Sequence, residues 1–304
     1  MMETTVTPAT ALAERVAEAV NQAGSCSVID ARQSLGKAAL ESLEYPTTRN
    51  ERWKYTRVAK LRDLHPASAS SPSNTPPVLD EFNAHRLTFV DGQFQGGEIV
   101  NESGAFIGPL SKAAQLQDDR LQALDQDYFA DNEWFAALQA AAPQDGACIL
   151  IPDGQRTERP ILVHHHLTAG NVVAQPQHVM VVGENAYTEV ILWTTCDDQA
   201  TGLMNGALTA YVAKHGHLSL EIVQDEQGSS HHIAHQQFRQ AESSRLTVRT
   251  ATARAHWLRN DLHIHQGGQH GHSTFHGCYL PSGNTFVDHH TRIDHAEPDG
   301  HSDE

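Results

Sequence analysis

Leu12, Val16 and Val20 recur every fourth residue, with alanine between them and charges opposite, after a Thr7–Pro8 start signal. That spacing predicts a helix, which Gly24 ends. A second helical stretch runs from about Asp30 to Tyr45, with Leu35, Leu40 and Leu43 as its apolar positions, and Pro46 stops it. Residues 66–77 (PASASSPSNTPP) form a Pro/Ser/Ala-rich surface linker with too little apolar surface to bury a core. From Arg86 to Phe94 a β-favouring run, an Asp-Gly step and a second aromatic predict a hairpin. Helical pattern resumes from about Ser111 to Ala142, with Leu110, Leu121, Leu124, Phe129, Trp134, Phe135 and Leu138 as its core, and Pro143 and Gly146 close it.

The texture changes at Ala147. Short β-favouring runs begin near Cys148, Ile161, Val179, Thr188, Leu208, Leu218, Leu246 and Asp261. Turn residues punctuate them at Gly183–Asn185, His215–Gly216, Ser243–Ser244, Gly267–Gly268 and Ser282–Gly283. The interval from Asn185 to His215 is 30 residues and that from His215 to Ser243 is 28. A turn followed by an alternating strand at this period is the pattern of a β-solenoid, whose coils bury their faces only against one another. A β-sandwich gives similar strands, but no helical pattern interrupts this half and the turns named above lack Asn-Gly steps. The expectation is a mostly β chain: residues 1–146 as a helical region with a hairpin, residues 147–304 as a β-helix.

Composition narrows the function. Apolar residues are 39% of the chain, and no run approaches the roughly 20 needed to span a bilayer. The first residues lack the pattern of a secretory signal, so a cytoplasmic protein is expected. The net charge of −16 repels phosphate backbones and anionic membrane, which argues against nucleic acid and membrane as partners. The count of 21 His makes that charge respond steeply to pH. Cys26, Cys148, Cys196 and Cys278 stand far apart with no CxxC, so each is expected to be a buried, reduced thiol.

Neither GxGxxG, GxxxxGK[ST], GxSxG nor HExxH occurs, which weighs against an ordinary enzyme. His164, His165 and His166 follow one strand run and alternate faces, so at most two converge. His231, His232 and His235 would pair well only on a helix. His263 and His265 share one strand face, and with His289, His290 and His295 they are the candidate metal ligands. The plain alternative is a set of solvated outward imidazoles, since a metal site also needs a third ligand and a supporting shell. Asp288 and Asp294 could serve as paired acids of a carbohydrate-active β-helix, but no row of exposed aromatics accompanies them to hold a sugar. Trp53 and Tyr55, flanked by Arg49, Glu51 and Lys54, read as a packing knot between helix and loop, with a recognition surface as the other reading.

The stretch Pro46…Arg49-Asn50-Glu51…Trp53-Lys54-Tyr55-Thr56, followed by Leu61, strongly resembles a motif of the SufD family of iron–sulfur cluster assembly proteins. Three further stretches agree in order: Leu87–Gly92, the Arg159-Pro160-Ile161 step, and Arg259-Asn260-Asp261-Leu262 leading to Asp288-His289-His290-Thr291…Asp294-His295…Pro298. The resemblance covers the chain from about residue 44 onward. It implies a helical N-terminal region, a right-handed parallel β-helix and a helical end that docks an ATPase. It also implies a complex with a SufB-type paralogue and a SufC-type ATPase, no catalytic activity of the subunit's own, and contact with iron or a cluster only in the assembled complex. Family members continue past the position of Pro298, so the expectation is a C-terminally truncated member with an incomplete β-helix, a weakened ATPase contact and a tendency to aggregate through its open last coil. A His-rich metal-binding solenoid and, behind it, a carbohydrate-active β-helix are the alternative readings.

Overall fold

The computed structural model describes residues 8–20, 27–67, 76–77, 82–113, 118–122, 124 and 133–304. Five helices precede the long β region among the described residues: α1 (Pro8–Ala19), α2 (Ser27–Ser42), α3 (Leu110–Ala113), α4 (Asp119–Gln122) and α5 (Trp134–Ala141). Leu12, Val16 and Val20 are buried, as their spacing predicts. The second helix turns a different face inward. Leu35 is 41% exposed and Leu40 and Leu43 are half-buried, whereas Ile29, Arg32 and Gly36 are buried. The reason is a close backbone approach: a β-carbon on Gly36 would lie 2.6 Å from the Ala141 nitrogen of α5. Only glycine lets the two helices come so near. Most of the linker, Gly24, Phe129 and much of the helix expected over 111–142 lie outside the described residues.

The strands form two sheets. Sheet A contains β1 (His85–Val90), β2 (Gln93–Gly97), β6 (Ile161–Leu167), β9 (Tyr187–Cys196), β11 (His217–Glu226), β13 (Arg245–Arg254), β15 (His272–Tyr279) and β17 (His301–Asp303), ordered β17-β15-β13-β11-β9-β6-β1-β2. Sheet B contains β3 (Val100–Glu102), β4 (Ala105–Pro109), β5 (Ala147–Ile151), β7 (Val173–Ala174), β8 (Gln177–Val182), β10 (Leu203–Val212), β12 (His231–Gln240), β14 (Trp257–Gln266) and β16 (Phe286–His295). Its order is β16-β14-β12-β10-β8-β5-β4-β3, with β7 beside β10. Successive coils pair in parallel, which makes the chain a β-solenoid of about five turns. At the first coil the pairing becomes antiparallel, β1 with β2 and β4 with both β3 and β5. Residues 85–109 therefore join the two sheets, and the Asp91-Gly92 hairpin covers one edge of sheet A.

From β8 onward, one corner of each coil is a residue in the left-handed region: Asn185, His215, Ser243, His270 and Asp299, with φ between 55 and 60°. None is glycine, so each costs about 1 kcal/mol of backbone strain. Cross-coil hydrogen bonds offset it, from Asn185 N to Lys214 O, His215 N to Glu242 O and Ser243 N to Gln269 O.

Sheet B is the middle layer. Its inner face meets sheet A in a core that includes Ile149, Met180, Leu208, Phe238 and Ile264 against Val163, Val190, Leu220, Val248 and Phe275. Its outer face is covered by the helical region, where Leu203, Ile233 and Trp257 contact a cluster of Leu12, Val16, Trp53, Trp134 and Phe135. Coil spacing leaves no slack where backbones stack. A β-carbon on Gly202 would fall 1.7 Å from the Val172 carbonyl oxygen of the preceding coil. Gly202→Ala is expected to cost about 2–3 kcal/mol by forcing the coils apart. Gly277→Ala, with nothing within 4 Å of the added carbon, is the control; equal urea midpoints for the two variants would refute the account. No described helix is long and apolar enough to cross a membrane.

Candidate functional site: a clasp around Arg259

Arg259 is the third residue of β14 and points out of sheet B, yet its side chain is fully buried. The turn after α2 covers it. Trp53 ends a short 3-10 helix, Glu51–Trp53, and its ring centre lies 4.0 Å from the Arg259 guanidinium. All three guanidinium nitrogens are engaged. Nε donates to Asp261 Oδ2 and Nη2 to Asp261 Oδ1, each at 2.8 Å. Nη1 donates to Asp288 Oδ2 at 2.8 Å and to the Arg52 carbonyl at 2.7 Å, with His290 Nε2 at 3.1 Å. The Thr56 hydroxyl closes the ring by donating to Asp288. Such planar, two-pronged pairing needs arginine rather than lysine.

Trp53 and Arg52 in turn tie the clasp to the helices through Glu133. Trp53 Nε1 donates to Glu133 Oε2 at 2.8 Å, just before α5. Arg52 reaches Glu133 Oε1 at 3.2 Å and Asp261 Oδ1 at 3.6 Å. Burial pushes the Asp261 carboxyl up, but Arg259, His235 and Arg52 together hold it below the usual carboxylate range. Burial wins at Glu133, whose carboxyl is raised despite the Trp53 bond and Arg52. Trp53→Phe keeps a ring under Arg259 but leaves this buried carboxyl without its indole donor. An unmet buried acceptor costs roughly 1–3 kcal/mol, and chemical denaturation should show a loss of that order. An unchanged midpoint would mean that Glu133 is satisfied elsewhere.

The structure sends the motif residues to three places. Trp53, Thr56, Arg259 and Asp288 meet in the clasp, although more than 200 residues separate Thr56 from Arg259. Asn260 points the other way, into the solenoid, where it exchanges hydrogen bonds with Gln224 at 3.0 and 3.2 Å. Arg49, Glu51, Lys54 and Tyr55 are exposed, as are Thr291, His295 and Pro298. Sequence reasoning missed Arg52 and Glu133. Arg52 stood inside the motif, while nothing in the local pattern marks Glu133.

The candidate metal ligands go to separate places. His263 and His265 do share the outer face of β14, and His263 Nε2 lies 2.7 Å from Asp294 Oδ2. His290 belongs to the clasp, 3.0 Å from Asp288. His289 contacts Asn260 at 3.4 Å, and His295 contacts Ser302 at 3.2 Å. Among the described residues no three His, Cys, Asp or Glu side chains are placed to hold a metal ion. His231, His232 and His235 lie on a strand, β12, rather than on a helix. Of the thiols, Cys148 and Cys196 are buried as expected, but Cys278 is exposed, and Cys26 lies outside the described residues.

His164, His165 and His166 alternate as their spacing requires. His164 and His166 each bond Thr195 Oγ1 at 2.8 Å on the outer side. His165 points inward, stacked on Phe89 at 4.6 Å and edge-on to His178 at 4.8 Å. It opens a polar lane inside the solenoid. Thr194 and His232 both bond Glu226, at 3.0 and 2.6 Å, and the Gln224–Asn260 pair extends the line with Thr252. A cavity of about 30 Å³ lies between His165, His178, Thr194, His232 and Gln236.

Residues 165–304, from β6 to β17, match the family model "SUF system FeS cluster assembly, SufBD core domain". The chain is 25% identical over 258 residues to the iron–sulfur cluster assembly protein SufD of Escherichia coli (strain K12), covering 82% of this chain and 59% of that protein. It is also 25% identical over 284 residues to an iron–sulfur cluster assembly SufBD family protein of Synechocystis sp., covering 86% and 62% respectively. The chain thus spans less than two thirds of the length of these curated relatives.

Proposed function

Because this chain belongs to the SufD family, we propose that it is a scaffold subunit of iron–sulfur cluster assembly, working in a complex with a SufB-type paralogue and a SufC-type ATPase. Its part is to present and brace surfaces rather than to perform a chemical step, in the cytoplasm, with iron or a cluster as cargo of the complex. One observation carries the reading: the matched core domain coincides with the stacked coils on which the clasp fixes the helical region. A rigid, repetitive surface of this kind suits assembly, since each coil adds binding area without needing a catalytic cleft.

The test is tagged co-purification of this chain with the paralogue and the ATPase of the same organism, followed by cluster formation monitored by visible absorbance. Retention of the paralogue and faster cluster formation are expected. Failure to retain the paralogue would overturn the reading. Equilibrium dialysis against ferrous iron separates the alternative of a resident metal. Stoichiometric binding by the isolated chain, lost in a His263→Ala/His265→Ala variant, would favour that alternative.

A further inference from the structure

The clasp accounts for the buried half of the Arg49–Leu61 motif and leaves the other half unexplained. Residues 49–62 contain six of the chain's 21 Lys and Arg against one acidic residue, Glu51. This stretch carries +5, while the remainder of the chain carries −21. Packing consumes two of the six. Arg52 is bound to Glu133 and Asp261, and Arg62 lies over the Tyr45 ring at 4.4 Å. Arg49, Lys54, Arg57 and Lys60 are exposed. Tyr55 stands among them at 79% exposure, with the Lys54 ammonium 5.3 Å from its ring centre. An aromatic ring so open to water, sited beside residues that are almost fully buried (Trp53 at 2% and Thr56 at 1%), gains nothing for the fold.

The turn is also stiff. Backbone bonds from Asn50 N to Thr47 O, Trp53 N to Asn50 O, Lys54 N to Glu51 O and Thr56 N to Trp53 O wind it tightly. Trp53 and Thr56 then pin it to β14 and β16. Exposed Tyr and Arg on a pre-ordered backbone are the residues that dominate protein interfaces, because little entropy is lost when they dock.

We propose that the exposed side of Arg49–Lys60, built from Tyr55, Arg49, Lys54, Arg57 and Lys60, is a docking surface for an acidic segment of a protein partner. The charge balance selects the occupant. A short acidic peptide can lie on a patch of this size and stay clear of the negative remainder. A long polyanion or a charged bilayer would meet that remainder and be repelled. The inference stands apart from the role in cluster assembly, since it rests on this turn alone.

Fluorescence anisotropy of the full chain with a short labelled peptide, rich in glutamate and carrying two leucines, tests it. Saturable binding that weakens with added salt is expected. Tyr55→Ala, and separately Lys54→Glu with Arg57→Glu, should each weaken binding about tenfold while the melting temperature holds. Tyr55→Phe should keep most of the affinity. Absence of binding at low salt, or equal binding by the charge-reversed variant, would overturn the proposal. So would tighter binding to duplex DNA or to phosphatidylserine vesicles that the same variant abolishes. Self-association of the chain, removed by Tyr55→Ala in light scattering, would show a second copy as the occupant and would overturn it too.

Discussion

Arg259→Leu is expected to destabilise the protein by about 3–5 kcal/mol, because it strips the guanidinium from two carboxylates that stay folded into the clasp. Asp261 is 8% exposed and Asp288 is half-buried, so water reaches neither freely. The substitution also removes the donor to the Arg52 carbonyl and the cation over Trp53. Arg259→Lys keeps the charge but cannot bond both oxygens of Asp261 and reach Asp288 together, so an intermediate loss is expected. Urea denaturation followed by circular dichroism measures both. Limited proteolysis adds where the damage falls: cleavage in the 43–67 segment should precede cleavage within the coils. A loss below 1 kcal/mol for Arg259→Leu would show that the helical region is held by its apolar contacts alone. A paired Arg259→Leu/Asp261→Leu variant should lose less than the two single changes combined, since it leaves no lone charge at Asp261.

The second large effect is acid lability that begins well above the carboxylate range. Burial holds His178 at about 4, and burial together with neighbouring His166 holds His164 at about 3, against 6.5 for a free imidazole. Burial, with His178, His164 and His232 nearby, also holds His165 well below the usual imidazole value. The folded state keeps these rings neutral, whereas the unfolded chain takes up protons once the pH drops below about 6.5. Their contribution is therefore complete above pH 6.5 and is lost as pH falls toward the folded values. At pH 5, which is 1.5 units below the 6.5 of a free imidazole, His178 and His164 each cost on the order of 2 kcal/mol. Asp91, Asp145 and Glu133, whose carboxyls burial raises, work against this trend as they take up protons. Melting temperature should fall steadily from pH 7 to pH 5, and His165→Phe should flatten that slope. His165 is the ring to replace, because neither of its nitrogens has a hydrogen-bond partner among the described residues. A constant melting temperature across this range would rule the account out.

Strands with apolar inward residues were legible from alternation. In β9 and β11, for example, Val190, Leu192, Leu218, Leu220 and Ile222 all face the core. The strands β12, β15 and β16 were not, and their sequences explain it. HHIAHQQFRQ and FVDHHTRIDH put histidine, glutamine or threonine at many inward positions, and HSTFHGCY has only Phe275 between Ser273 and Gly277 on its inward face, so apolar alternation never builds up. The polar lane that these residues line is a tertiary feature, with partners one coil away. The clasp was half legible. Resemblance singled out Trp53, Thr56, Arg259 and Asp288, but no spacing along the chain could state that they touch.

By itself the sequence determined the class of structure: a helical lead, a change of texture at Ala147 and turns recurring near every 28–30 residues. Those are local properties, written in side-chain period and turn chemistry. Which face of α2 packs, where the His side chains go and what Arg259 is for were decided only when coils stacked and the helical region closed over sheet B. Burial of a charge depends on which distant groups arrive to satisfy it, and that information exists only in the folded chain.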